Sequence, residues 1–230
     1  MPLGILLRAR RLLPVVLALV VATVSTAVVV SRASGSSAVT CESRAEAAAE
    51  RRALDTGHGA PVVVIGDSYS VGLEVEPLQS WPTRLPGRVH VDGFSGSGFS
   101  ADASPCGAGV SYAGRAAQAL AGHDDALVVV QGGLNDHRRS DAEIARGYEA
   151  LLRGLVGYRV LVVGPPPAPS RAAEVPRVDA VLKRMSVGFG VDYLSMADAD
   201  LDYLDDRLHL TPEGHREFGD LVAQHINARP

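Results

Sequence analysis

The chain has 230 residues, 47% of them hydrophobic, and a formal net charge of −4 at neutral pH, which is length enough for one full domain and a targeting segment. Residues 1–32 hold four arginines (Arg8, Arg10, Arg11 and Arg32) and no acid, so everything after them carries −8. So acidic a body lacks the clustered positive charge that phosphate binding needs, which argues against nucleic acid as its main partner.

Residues 12–30 are uncharged and almost wholly apolar, and Arg8, Arg10 and Arg11 precede them, as in the basic and hydrophobic regions of an export signal. Roughly 20 apolar residues also suffice to span a bilayer. Two outcomes therefore stand: a signal peptide cut near Ser25-Thr26-Ala27, or a retained signal anchor with its basic end inside. Either one predicts a protein outside the cytoplasm, secreted or attached to the membrane through residues 12–30. Residues 33–57 read as a small-residue linker followed by a short helix, Glu42 to Leu54, and residues 58–230 as the main domain. The only two cysteines, Cys41 and Cys106, follow the targeting segment, and an oxidising compartment predicts one disulfide between them.

From Pro61 onward strand and helix signals alternate. Apolar runs at Pro61 to Ile65, Val89 to Val91, Ala126 to Gln131, Arg159 to Val163 and Val191 to Leu194 predict five strands. A capping box at Ser140 and Glu143 opens a helix to about Leu155, and another covers Ala172 to Val187. Thr211 as N-cap with Pro212 in the first turn starts the last helix, which runs to about Ile226. Continuously apolar strands separated by helices predict an α/β fold with a parallel sheet covered on both faces.

In such sheets ligands bind beyond the carboxyl ends of the strands. Ser68 follows the first strand, Gly96 and Gly98 the second, Asn135 the third, Pro165-Pro166-Pro167 the fourth, and Asp206 with His209 the fifth. Five segments thus converge on one rim. A serine hydroxyl attacks a carbonyl only if a base takes its proton, and the base needs a partner that fixes its tautomer. His209 and Asp206, three residues apart, suit those two roles. Backbone amides and an asparagine amide suit the oxyanion that forms.

Gly66-Asp67-Ser68-Tyr69, Ser95-Gly96, Gly133-Leu134-Asn135-Asp136 and the run from Asp206 to His215 resemble, in order and spacing, the four blocks of the SGNH, or GDSL, hydrolase family. The resemblance runs from about Val62 to the C-terminus. It implies a three-layer α/β/α, flavodoxin-like domain with a five-stranded parallel sheet. It implies Ser68 as nucleophile, His209 as base, Asp206 as its partner, and an oxyanion hole of the Ser68 amide, Gly96 and Asn135. Members are esterases, lipases, thioesterases, carbohydrate O-deacetylases and some acyltransferases, and work without metal or organic cofactor, so no cofactor is expected here. Tyr69 stands where leucine is usual and Asp92 where asparagine is commoner. Gly96 is preferred in the second block because it follows serine; Gly98 is the alternative.

Other polar residues have plainer readings. Asp67 braces the turn, Asp205 competes with Asp206, and His58, His90, His123, His137, His215 and His225 read as surface or capping groups, with lining the pocket as the alternative for His137. Asp198, Asp200 and Asp202 mimic the start of a calcium loop but lack its glycine and closing glutamate, and read as solvated acids. Trp81-Pro82 and Pro165 to Pro169 are expected to shape the rim. The expected substrate is a small-molecule or polysaccharide ester with a short acyl group, and a monomer is expected. The alternatives are an acyltransferase using the same serine and a non-catalytic binding protein of the same fold.

Overall fold

The computed structural model describes residues 40–229. The predicted targeting segment and most of the linker lie outside the described residues. Strands β1 (Pro61–Gly66), β2 (Arg88–Gly93), β3 (Leu127–Gln131), β4 (Arg159–Val163) and β5 (Asp192–Leu194) form one sheet in the order β2-β1-β3-β4-β5. Every neighbouring pair is parallel, with Val64 aligned to Val91 on one side and to Val129 on the other.

Side chains alternate across the sheet, and both faces are covered. Val63, Ile65, Val128, Val130 and Val162 pack beneath helices α3 (Tyr112–Leu120), α4 (Asp141–Gly154) and α5 (Val175–Phe189) through Tyr112, Ile144, Tyr148, Leu151, Val178 and Leu182. Val62, Val64, Val91, Val129 and Val163 pack on the other side against Trp81 and against Phe218 and Val222 of α6 (Pro212–Asn227). Full burial of each such side chain contributes about 1.5–3 kcal/mol. Burial on both faces is why the strands read as unbroken apolar runs. The chain also has a helix α1 over residues 40–52 and a single turn, α2 (Ser68–Val71).

Capping chemistry foretold two helix starts. Ser140 Oγ accepts from the Glu143 amide while Glu143 accepts from the Ser140 amide at 2.8 Å, and Thr211 Oγ1 accepts from the Gly214 amide at 3.0 Å. Helix α5 begins at Val175 rather than Ala172. Pro169–Arg171 forms a separate 3-10 turn, and Pro176, which has no amide hydrogen to donate, fits the first turn of a helix. Helix α3 has no counterpart in the sequence reading. Its buried stripe is Tyr112, Arg115, Ala116, Ala119 and Leu120, at helical spacing but built largely of small and charged residues.

Trp81 corrects another expectation. It is fully buried against Phe218, with its indole N–H donating to Ser70 Oγ at 3.3 Å, so it lies under the Ser68 turn and not on the rim. Both cysteines, Cys41 and Cys106, are disulfide-bonded. Among the described residues no helix is long and apolar enough to cross a membrane.

Candidate active site

In the strand order β2-β1-β3-β4-β5, the chain leaves β1 in one direction for β2 and returns in the other for β3, so the crevice at the switch opens beside the ends of β1 and β3. Ser68 and Asn135 stand at those two ends. Strand β1 stops at Gly66, where a Cβ would lie 2.0 Å from Ser70 Oγ, so only glycine lets the chain fold back so tightly. Asp67 then caps α2, its Oδ1 accepting from the Tyr69 amide at 3.0 Å. Ser68, the first residue of that turn, is 8% exposed, so the serine is sunk in the rim but not sealed.

The loop after β5 is closed by an antiparallel bridge between Tyr203 and Leu210. At its tip Asp206 Oδ1 accepts from the Leu208 and His209 amides, both at 2.9 Å. Its Oδ2 accepts from His209 Nδ1 at 2.5 Å, and His209 Nε2 lies 3.2 Å from Ser68 Oγ. A carboxylate that accepts at Nδ1 leaves Nε2 without a proton, ready to accept from the serine. Partial burial works to raise the Asp206 pKa, but the His209 and Leu208 amides and the His209 ring together hold it below its ordinary value. Asp206, not Asp205, faces the imidazole.

Asn135 sits on a 3-10 turn, Leu134–Asp136, after β3. Its Nδ2 donates to the Ser97 carbonyl at 2.8 Å, and Asp67 Oδ2 lies 3.4 Å away. One amide hydrogen is thus firmly held, and the second, only loosely engaged, is available to another acceptor. Gly96 has φ +85°, a left-handed conformation, in the turn leading to Ser97. Gly98 belongs to the layer beneath: a Cβ there would lie 2.5 Å from Asp136 Oδ2, and Asp136 accepts from the Phe99 and Ser100 amides at 2.9 and 2.8 Å. The serine, the imidazole, the carboxylate and Asn135 therefore meet at one end of the sheet, and Gly96 and Gly98 flank Ser97, whose carbonyl Asn135 holds.

A buried polar floor supports this rim. Burial pushes the Asp67 carboxyl up to about 6 against the Tyr69 amide that holds it down, and pushes Asp136 up to about 7 against the Ser100 and Phe99 amides. Asp92 is wholly buried and paired with Arg115 and, at 2.9 Å, with Arg52. Arg115 also donates to the Gly66 carbonyl at 2.9 Å, tying the end of β2 to the residue that begins the Ser68 turn. The aspartate at position 92 thus answers an arginine in α3.

Tyr69 has a definite role as well. Its ring is buried between His215 and Phe218, and its hydroxyl donates to the Leu208 carbonyl at 2.5 Å, joining the residue after Ser68 to the residue before His209. His215 corrects the surface reading: it is 1% exposed, its Nδ1 accepts from the Trp81 amide at 3.4 Å, and burial pulls its pKa down to about 4. His137 is part-buried, its Nδ1 3.1 Å from the Leu134 carbonyl and its Nε2 bonded to Arg171. Asp198, Asp200 and Asp202 are exposed, and no group of three or more histidine, cysteine, aspartate or glutamate side chains among the described residues could hold a metal ion. Arg115 escaped the sequence reading, which noted Tyr69 only as a departure from leucine. The signals for them were a charged residue in a helix-spaced buried stripe and a tyrosine in place of leucine.

The pattern of the GDSL-like lipase/acylhydrolase family matches residues 64–217. No curated protein matches the chain. Among solved structures, a carbohydrate acetylesterase from Sinorhizobium meliloti is similar at 24% identity and TM-score 0.61, covering 74% of this chain and 99% of that one. The M. smegmatis aryl esterase is similar at 21% identity and TM-score 0.61, with the same two coverages of 74% and 99%. A member of the lipolytic G-D-S-L family from Veillonella parvula is similar at 14% identity and TM-score 0.59, covering 75% of this chain and 100% of that one. These likenesses agree with the five-stranded parallel sheet described above, and the family match spans β1 to α6; the chain belongs to the GDSL-like lipase/acylhydrolase family.

Proposed function

We propose that the chain is an extracytoplasmic serine ester hydrolase that works through an acyl-enzyme at Ser68. Family membership makes it a carboxylic ester hydrolase. The observation that carries the mechanism is the continuous relay from Asp206 Oδ2 through His209 to Ser68 Oγ, with steps of 2.5 and 3.2 Å. His209 Nε2 takes the Ser68 proton as Oγ bonds to the ester carbonyl carbon, and Asp206 stabilises the imidazolium that results. The carbonyl oxygen, now an anion, accepts from the Ser68 and Gly96 amides and from the second Asn135 hydrogen. His209 then passes its proton to the departing alkoxide, which leaves as the alcohol. Water, deprotonated by the same imidazole, attacks the acyl carbon and frees the acid and Ser68.

The apolar segment of residues 12–30 behind three arginines and the disulfide of Cys41 and Cys106 support a site outside the cytoplasm. The acetylesterase and aryl esterase of similar fold favour short acyl groups and small alcohol parts, such as acetyl on a polysaccharide or a small soluble ester. A fluorophosphonate probe tests the nucleophile. One label per chain on Ser68, lost in Ser68→Ala and strongly slowed in His209→Ala, is expected. An unlabelled wild-type protein, or a label elsewhere, contradicts the assignment.

A further inference from the structure

Two part-buried guanidinium groups at the catalytic rim, those of Arg44 and Arg171, have no carboxylate partner among the described residues. Arg171 ends the 3-10 turn after β4, and its Nη1 is hydrogen-bonded to His137 Nε2. His137 Nδ1 faces the Leu134 carbonyl, which can only accept, so Nδ1 holds the ring proton and Nε2 accepts from the arginine. His137 is therefore neutral and supplies no negative charge to Arg171. Burial and the neighbouring guanidinium lower the His137 pKa, in agreement with that state. The Arg171 Nε is buried without a hydrogen-bond partner, and Glu174, three residues on, forms no ion pair with it.

Position makes this arginine relevant to the substrate. His137 lies two residues past Asn135, and the Ser170 amide donates at 2.9 Å to the carbonyl of Arg207, two residues before His209. The turn bearing Arg171 thus clasps the two segments that hold Asn135 and His209. On the second wall Arg44 of α1 lies against the oxyanion glycine: a Cβ on Gly96 would stand 2.8 Å from Arg44 Nη1. Arg44 is half-buried and makes no hydrogen bond or ion pair among the described residues. Arg138 and Arg207, which stand beside the site without a carboxylate partner, are exposed to solvent, whereas Arg44 and Arg171 are part-buried. Acids outnumber bases in this body, and Arg84, Arg153, Arg177, Arg216 and Arg229 each hold a carboxylate.

We infer that Arg44 and Arg171 are specificity residues for an anionic substrate, and that the ester cut at Ser68 bears a carboxylate beside its scissile bond. The inference rests on the hydrolase reading and deepens it. A guanidinium withdrawn from water without a counter-charge is costly, and a carboxylate supplies the planar pair of acceptors that fits it. Two such groups, one on the Gly96 wall and one between the Asn135 and His209 segments, would hold a charged ester while its carbonyl faces Ser68.

The test compares kcat/KM for matched esters in the full-length protein: phenyl hemisuccinate against phenyl butyrate for charge on the acyl part, and 4-carboxyphenyl acetate against phenyl acetate for charge on the alcohol part. At least one charged ester is expected to exceed its neutral partner by about tenfold, the size of one charge-assisted hydrogen bond. That ratio should fall toward one in Arg171→Gln or Arg44→Gln. Ratios at or below one for both pairs in the wild type overturn the inference, as does a preference that survives in both variants. A protein that turns over no ester and leaves Ser68 unlabelled by fluorophosphonate breaks the hydrolase reading itself, and the inference falls with it.

Discussion

The two halves of the proposed catalytic relay, Ser68 and the His209–Asp206 pair, are held in opposite ways. Ser68 rests on a buried floor in which Asp67, Tyr69, Ser70, Asp92 and Arg115 are all 4% exposed or less. Its supports come from β1, β2, α3 and the turn after β3, far apart in sequence. The Asp206 side chain, by contrast, is 44% exposed, and its loop is shaped mainly by bonds among residues 202–211. Besides the His209–Ser68 contact, ties from outside that reach the tip of that loop include the Tyr69 hydroxyl to the Leu208 carbonyl and the Ser170 amide to the Arg207 carbonyl. Ser68, the proposed nucleophile, is thus positioned by tertiary burial and His209, the proposed base, by local chain geometry. Changes beneath Ser68 should cost stability, and changes in the loop should cost rate.

The largest separation of the two effects is expected for Asp206→Ala. By the behaviour of triad carboxylates in serine proteases, kcat should fall about 10³- to 10⁴-fold, while urea unfolding shifts by less than about 1 kcal/mol. A matching collapse of stability would erase the contrast. The reverse case is Arg115→Met, which leaves the buried Asp92 with Arg52 alone and removes the tie to Gly66. Unfolding free energy should drop by about 3 kcal/mol, the scale of a broken buried ion pair. A loss below about 1 kcal/mol would mean that the floor is not what holds the Ser68 turn.

Tyr69→Phe probes the tie between the halves. The ring stays packed on His215 and Phe218, and only the hydrogen bond to Leu208 is lost. Stability should change by about 1 kcal/mol. If the hydroxyl sets the place of His209, kcat should fall about tenfold with KM little changed, and the pH-rate profile should shift. An unchanged kcat would assign Tyr69 to packing alone.

The same division explains what could be read from the sequence. The β-strands, the caps of α4 and α6 and the four catalytic segments announce themselves through local signals: apolar runs, Ser140 with Glu143, Thr211 with Pro212, and short spaced motifs. Asp206 and His209 were legible because their pairing is a matter of three residues. The floor was not legible, because nothing near Asp92 in the chain reveals Arg115, and nothing near Tyr69 reveals Leu208. Trp81 and His215 were misplaced for the same reason: each is a polar-tipped ring whose burial depends on a partner more than a hundred residues away. Arg44 and Arg171 became visible only when the rim was assembled and their missing carboxylates could be seen.

The most direct test of the account is to trap the acyl-enzyme. The protein is mixed with a short-chain aryl acetate, quenched in acid within the first turnover, and digested for mass spectrometry. The account predicts one acetyl group on Ser68, absent in Ser68→Ala. Turnover of the ester with the acetyl group on another residue, or undiminished turnover in Ser68→Ala, would contradict it.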